Sequence, residues 1–118
     1  MKRATKVSEP ITMPARVLSA RRGFASDSAL AEALGVSRSN VARWKKGERP
    51  SPENIEFLLA LDVVVTMLTG WLHPRSVPKY LFGVNAFLGH RRPIDVLRLG
   101  GLAEVIRAIQ ADKQGAFA

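Results

Sequence analysis

The sequence contains no cysteine, which rules out disulfides and thiolate metal sites and fits a reducing cytoplasm. Histidine is almost as scarce: His73 and His90 are the only two. Both lie on proline- and glycine-rich ground without metal-ligand spacing. No glycine-rich phosphate loop follows a strand. We therefore expect no catalytic residue, no metal, no cofactor and no enzymatic activity. A long apolar run is missing too. The most apolar stretch, Ile55 to Leu72, is interrupted by Glu56, Asp62 and Gly70, which makes it a poor membrane span and a good buried helix. The opening MKRATK has the charge of a signal-peptide start, but Ser8, Glu9 and Pro10 stand where an apolar region is needed. Acidic residues are scarce in one half only. Residues 1–50 hold 11 Lys/Arg against 4 Asp/Glu, a balance of +7, whereas residues 51–118 hold 7 against 6, a balance of +1. A basic block joined to a nearly neutral apolar block suits one half for a polyanion and the other for protein contact.

What remains reads as helix. A chain of 118 residues fits one domain or two small helical subdomains sharing a core, and it can bury about two-thirds of its unfolded surface without staples. Nothing reads as a sheet, so the expected class is all-α: an N-terminal helix-turn-helix subdomain followed by a small helical subdomain. The divisions expected are a flexible basic arm at 1–12, a helix-turn-helix unit at 13–50, a long apolar linking helix at 51–72 and a module at 73–118. Pro14 opens a first helix to about Arg22, with Val17 and Leu18 inward and Gly23 as its stop. Ser26 or Asp27 caps a second helix, to Leu34, that buries Leu30, Ala31 and Leu34. Gly35 supplies a tight turn, Ser37 caps a third helix, and Ser51-Pro52 opens a fourth. The fourth is apolar nearly all round, which asks for cover on more than one side. A second copy of the chain is the expected cover, through Val64, Met67 and Leu68. Short helical turns are expected around Val77 to Phe82, a Pro93-started helix to Leu99, and a last helix from Leu102 to about Ala111 burying Leu102, Val105, Ile106 and Ile109.

The segment LGVSRSNVARWKKGERP, Leu34 to Pro50, places five basic residues around Val41 and Trp44. On a wheel of about 100° per residue, Val41 and Trp44 face the core with the stems of Lys45 and Arg38. Ser39, Arg43 and Lys46 fall on the opposite face, flanked by Asn40 and Ala42. Arginine can reach guanine bidentately and asparagine can reach adenine, so this face suits a major groove. A solvated basic helix is the alternative, but it leaves the turn grammar and the charge asymmetry unexplained. The string ALAEALGVSRSNVARWKKGERP also resembles the helix-turn-helix of Xre-type repressors. That resemblance implies base contacts from Arg38, Ser39 and Arg43, and phosphate contacts from Ser37, Asn40 and Lys46.

The string HRRPIDVLRLGGLAEVIRAI alone says only that a Pro-started short helix, a glycine break and an amphipathic helix follow one another. Its residues Leu88, Gly89, Arg92, Pro93, Ile94, Asp95, Leu97, Arg98 and Gly100 resemble the hallmark of the Xre/MbcA/ParS antitoxins, a string of the LGGRTPIDLLR.G type. Two departures stand out: the approach WLHPRSVPKYLFGVNAFLG is longer than usual, and His90 and Arg91 replace a small residue. The resemblance implies a toxin of the RES type, which destroys NAD⁺, as partner, with the antitoxin blocking its active site and repressing its own operon; the second copy expected on the fourth helix would make the operator-binding form a homodimer. The toxin-binding residues expected are Arg91, Arg92, Asp95, Arg98, Gly115, Phe117 and Ala118, although the residues themselves favour a structural role for the hallmark cluster, in which Asp95 sits near the helix N-terminus and pairs with Arg98 or Arg92. In the tail QGAFA, Gly115 would turn the chain away from the last helix and Phe117 would plug a concave pocket, or else fold back on its own core. The competing function is a stand-alone repressor whose C-terminal half only dimerises or senses a ligand.

Overall fold

The computed structural model describes residues 12–115, and every described element is helical. The helices are α1 (Met13–Arg21), α2 (Asp27–Leu34), α3 (Arg38–Lys45), α4 (Pro52–Thr69), α5 (Ser76–Phe82), α6 (Pro93–Arg98) and α7 (Leu102–Gly115), with a 3₁₀ turn at Ala86–Leu88. The sole extended pairing among the described residues is the isolated bridge between Asn85 and Arg91. No helix among them is long and apolar enough to cross a membrane. The expected basic arm lies outside the described residues but for Thr12.

Serine caps and proline starts set the helix beginnings. The Ser26 hydroxyl accepts from the Ala29 amide at 3.1 Å, and the Ser51 hydroxyl accepts from the Asn54 amide at 3.3 Å, each satisfying an orphan donor of the first turn. Three helices end in the same way. After α2, α3 and α6, a glycine takes a left-handed conformation (Gly35, Gly47 and Gly100). The amide of the residue after each of them reaches back to a carbonyl of the last turn: Val36 to Ala31, Glu48 to Arg43 and Gly101 to Val96. This is the Schellman closure, which favours glycine because it carries no Cβ penalty there.

The core is organised about α4. α1 packs on it from one side, and α5, α6 and α7 pack on it from the others. Phe57, Leu58, Leu61, Val64, Val65 and Leu68 are all buried within this single chain, so the apolar girth of α4 is mostly covered without a second copy. Arg16 of α1 pairs with Asp62 of α4 at 2.9 Å, which accounts for Asp62 inside the apolar run, while Glu56 faces solvent. The dimer face expected at Val64, Met67 and Leu68 is corrected here: Val64 and Leu68 have no exposure and Met67 is half-buried against the same core. What α4 leaves open is Leu59 and Val63.

Other expectations shift by one face. Leu18 points to solvent and Ala20, not Leu18, joins Val17 in the core, because a small residue lets α1 approach its neighbours closely. Gly23 does not stop α1 by its dihedral angles. It is a point of close approach, where an added Cβ would stand 2.5 Å from Val65 Cγ2 and 3.2 Å from Leu81 Cδ1. In α7, Ala108 is buried with Val105 and Ile109, while Leu102 and Ile106 are only half-buried.

Candidate nucleic-acid interface and partner-binding module

α3 is fixed from below and open above. Val41 and Trp44 are buried, as the wheel requires, while Ser37, Arg38, Ser39, Arg43 and Lys46 are exposed and Asn40 is half-buried. All six side chains expected at the DNA surface therefore share α3, its cap or its closing turn. Ser37 has the extended backbone of a cap, but its hydroxyl pairs with that of Ser39 at 2.9 Å instead of closing the first turn.

Two features of this region have no local sequence signal. Asp27, at the start of α2, accepts from Arg21 Nε at 2.6 Å and from Lys45 Nζ at 2.7 Å. Those two cations, Lys45 foremost, hold its carboxyl below the usual carboxylate range. The clamp joins the end of α1, the start of α2 and the end of α3, and it removes Lys45 from the exposed basic set. The second feature is Glu48, which lies against Arg43 with Nε 3.2 Å from Oε1, while Arg43 Nη2 donates to Asn40 Oδ1.

The C-terminal module is built by its glycines and one proline. Pro93 begins α6, whose Ile94, Val96 and Leu97 are buried. After Gly100 closes the helix, Gly101 allows α7 to pass so close that an added Cβ would stand 2.5 Å from Val96 Cγ1 and 3.1 Å from the Val96 carbonyl oxygen. Gly89 and His90 are both left-handed, with φ of 68° and 63°; the non-glycine residue there is one of the departures seen in the sequence.

The four charged residues expected at the partner surface do not form one cluster. Arg92 makes a two-pronged pair with Asp95 at 2.8 and 2.9 Å, which holds the Asp95 carboxyl low. Arg92 also lies over the Phe82 ring at 5.7 Å. Arg98 lies over Phe57 at 5.0 Å. These three, with Ala29, Glu32 and Ala33 of α2, line one shallow cavity. Arg91 goes the other way, donating to the Leu88 carbonyl at 2.7 Å and pairing with Glu104 of α7 at 2.5 Å. Gly115 is the last residue of α7 and makes no turn away from it. Phe117 and Ala118 lie outside the described residues.

The long approach segment is ordered by a polar knot. Tyr80 donates to Asp112 at 2.5 Å, and Asn85 donates to the same carboxylate at 2.8 Å and accepts from the Phe87 amide at 2.8 Å. Burial first, and then Asp112, pushes the Tyr80 hydroxyl well above its ordinary range. Trp71 meets Tyr80 edge to face, with ring centroids 6.2 Å apart, so both rings serve packing.

Residues 26–61 match the helix-turn-helix family. The chain is 32% identical over 85 residues to the mycobacterial cidal antitoxin MbcA of Mycobacterium tuberculosis, covering 71% of this chain and 75% of that one. The chain belongs to the MbcA antitoxin family. A probable mycobacterial cidal antitoxin of the same organism is 31% identical over 88 residues, covering 75% of this chain and 76% of that one. Among solved structures, a chain in the crystal structure of the M. tuberculosis MbcT–MbcA toxin–antitoxin complex superposes with a TM-score of 0.73 at 27% identity, covering 92% of this chain and 100% of that chain. The chain is an antitoxin and not an enzyme, and its matched helix-turn-helix residues take in the α2–α3 unit described above.

Proposed function

We propose that this antitoxin works through two surfaces on one α4 spine. α3 reads operator DNA and represses the antitoxin's own operon, with Arg38, Ser39 and Arg43 at the bases and Ser37, Asn40 and Lys46 at the phosphates. The module from residue 73 onward neutralises a RES-type toxin by occluding its NAD⁺ site. The observation that carries the reading is the structural likeness over 92% of the chain to a component of a toxin–antitoxin complex, which spans the helix-turn-helix and the module together. The DNA-binding form is a homodimer on a two-fold operator, with half-sites about 34 Å apart. Its contact draws on Leu59 and Val63, the apolar residues that α4 leaves on the surface.

Within the module, two parts compete for the inhibitory role: the tail with Phe117, and the Arg92–Asp95–Arg98 cavity. The test is NAD⁺ consumption by the purified cognate toxin, titrated with full-length antitoxin and with a form lacking Gly115 to Ala118. Full-length protein should abolish turnover near stoichiometric addition, and the truncated form should not, although both shift operator DNA equally. Equal inhibition by the two forms moves the inhibitory surface back to residues 91–109. Failure of the full-length protein to inhibit removes the NAD⁺-site reading itself.

A further inference from the structure

The expected DNA face of α3 carries one carboxylate, Glu48, three residues beyond the helix end. A carboxylate beside DNA phosphates weakens binding to every sequence, so its position calls for an explanation. The backbone fixes that position. Gly47, with φ of 117°, turns the chain back. The Gly47 amide bonds the Trp44 carbonyl at 3.1 Å, and the Glu48 amide bonds the Arg43 carbonyl at 3.0 Å. Glu48 is thereby hydrogen-bonded through its main chain to the same residue whose side chain it meets, with Arg43 Nε 3.2 and 3.3 Å from its two carboxylate oxygens. Asn40, one turn earlier on α3, accepts from Arg43 Nη2. Nε and Nη2 are therefore held by the protein, and the outward edge of the guanidinium, formed by Nη1 and the remaining Nη2 proton, meets no acceptor among the described residues. An arginine side chain is long and rotamer-rich, and one left to itself spends much of its time on phosphates. An arginine fixed along one edge offers the other edge as a preset fork for the O6 and N7 acceptors of guanine.

We infer that Glu48 is a positioning residue for base reading: it gives up general affinity for DNA and, through Arg43, sets the preference for one base pair. The inference rests on α3 being the DNA-reading helix. It differs from a bulk-charge role in what it does to selectivity. Removing a plain repulsive charge strengthens binding to all sequences alike, whereas releasing Arg43 strengthens non-specific binding and flattens discrimination at a single position.

The experiment uses the full-length protein. Its site is first selected from a randomised duplex pool. Dissociation constants are then measured on that site, on every single-base variant of it and on unrelated DNA, for wild type, E48Q, E48A, R43A and the E48A/R43A double variant. Helix content is recorded for each, since the Glu48 amide that closes α3 survives all these changes. For E48A the ratio of specific to non-specific affinity should fall about tenfold, the order of one bidentate base contact, with the loss confined to one G·C pair. E48Q still accepts from Arg43 and should lose less. On the R43A background, E48A should leave the discrimination unchanged. If E48A tightens binding to every sequence equally and keeps the ratio, the positioning role is overturned while the DNA-reading role stands. If wild type selects no site at all, both fall together.

Discussion

The two ends of the molecule use one structural device for opposite purposes. At the end of α3, Gly47 closes the helix and brings a side chain, Glu48, onto an open surface. At the end of α6, Gly100 closes the helix in the same way and brings Gly101 into a contact too tight for any side chain. The first closure leaves chemistry facing solvent; the second seals α6 against α7. The α3 closure thus leaves Arg43 and Glu48 on the surface, whereas the α6–α7 joint, like Gly23 against Val65 and Leu81, depends on close backbone fit.

The sharpest break should come from the strut between them. Val64→Asp places an unpaired charge among fully buried neighbours on α4, costing about 4 kcal/mol or more. Loss of helical circular dichroism is expected, and a folded monomer in its place would return Val64 to a dimer face. Next, Gly101→Ala forces a Cβ against Val96 and should lower stability by about 2 kcal/mol. The same change at Gly35, where φ is +71° but nothing lies within 4 Å, should cost only about 1 kcal/mol. Equal melting-temperature losses at the two sites would erase the contrast between sealed and open closures.

Smaller effects probe the open half. Arg43→Ala should weaken operator binding by about 1–3 kcal/mol, and Lys46→Ala should weaken binding on all sequences and reduce the salt slope by about one. Footprints at several salt concentrations that match wild type for both variants would remove α3 from the DNA surface. Smallest is Asp27→Asn, which loosens the clamp on Arg21 and Lys45 by about 1 kcal/mol. The Asp27 carboxyl is depressed in the folded state. Its contribution is therefore full above the ordinary unfolded value near ~3.9 and fades as pH falls through the lower folded value. The melting-temperature gap between wild type and Asp27→Asn should be constant from neutral pH down to about 5 and close below about 4.

Local rules made much of this legible from the residues. The Ser51 cap, the Val41 and Trp44 anchor of α3, and the Pro93 start of α6 each depend on neighbours within one turn and are legible from spacing alone, whereas spacing leaves the cap of α2 between Ser26 and Asp27 and the structure gives Ser26. Apart from Glu48 against Arg43, what escaped was set by residues far apart in the chain. Asp27 meets Lys45 across 18 positions, Arg91 meets Glu104 across 13, and Tyr80 meets Asp112 across 32. None leaves a periodic trace. The covering of α4 misled for a related reason: an apolar girth says that cover exists, not whether the same chain supplies it. Gly23 looked like a stop because glycine at a helix end most often is one, and only Val65 and Leu81 on the far side reveal its other use.

One further consequence follows from α4 being packed by helices of both halves. A protease needs a locally opened stretch of chain, and opening the middle of α4, where Leu58, Leu61, Val64, Val65 and Leu68 are buried, disturbs the packing of α1 and α7 alike. On the proposed function, a cut within the buried part of α4 disables the α3 surface and the C-terminal module together, so whatever each holds in check is released on the same clock.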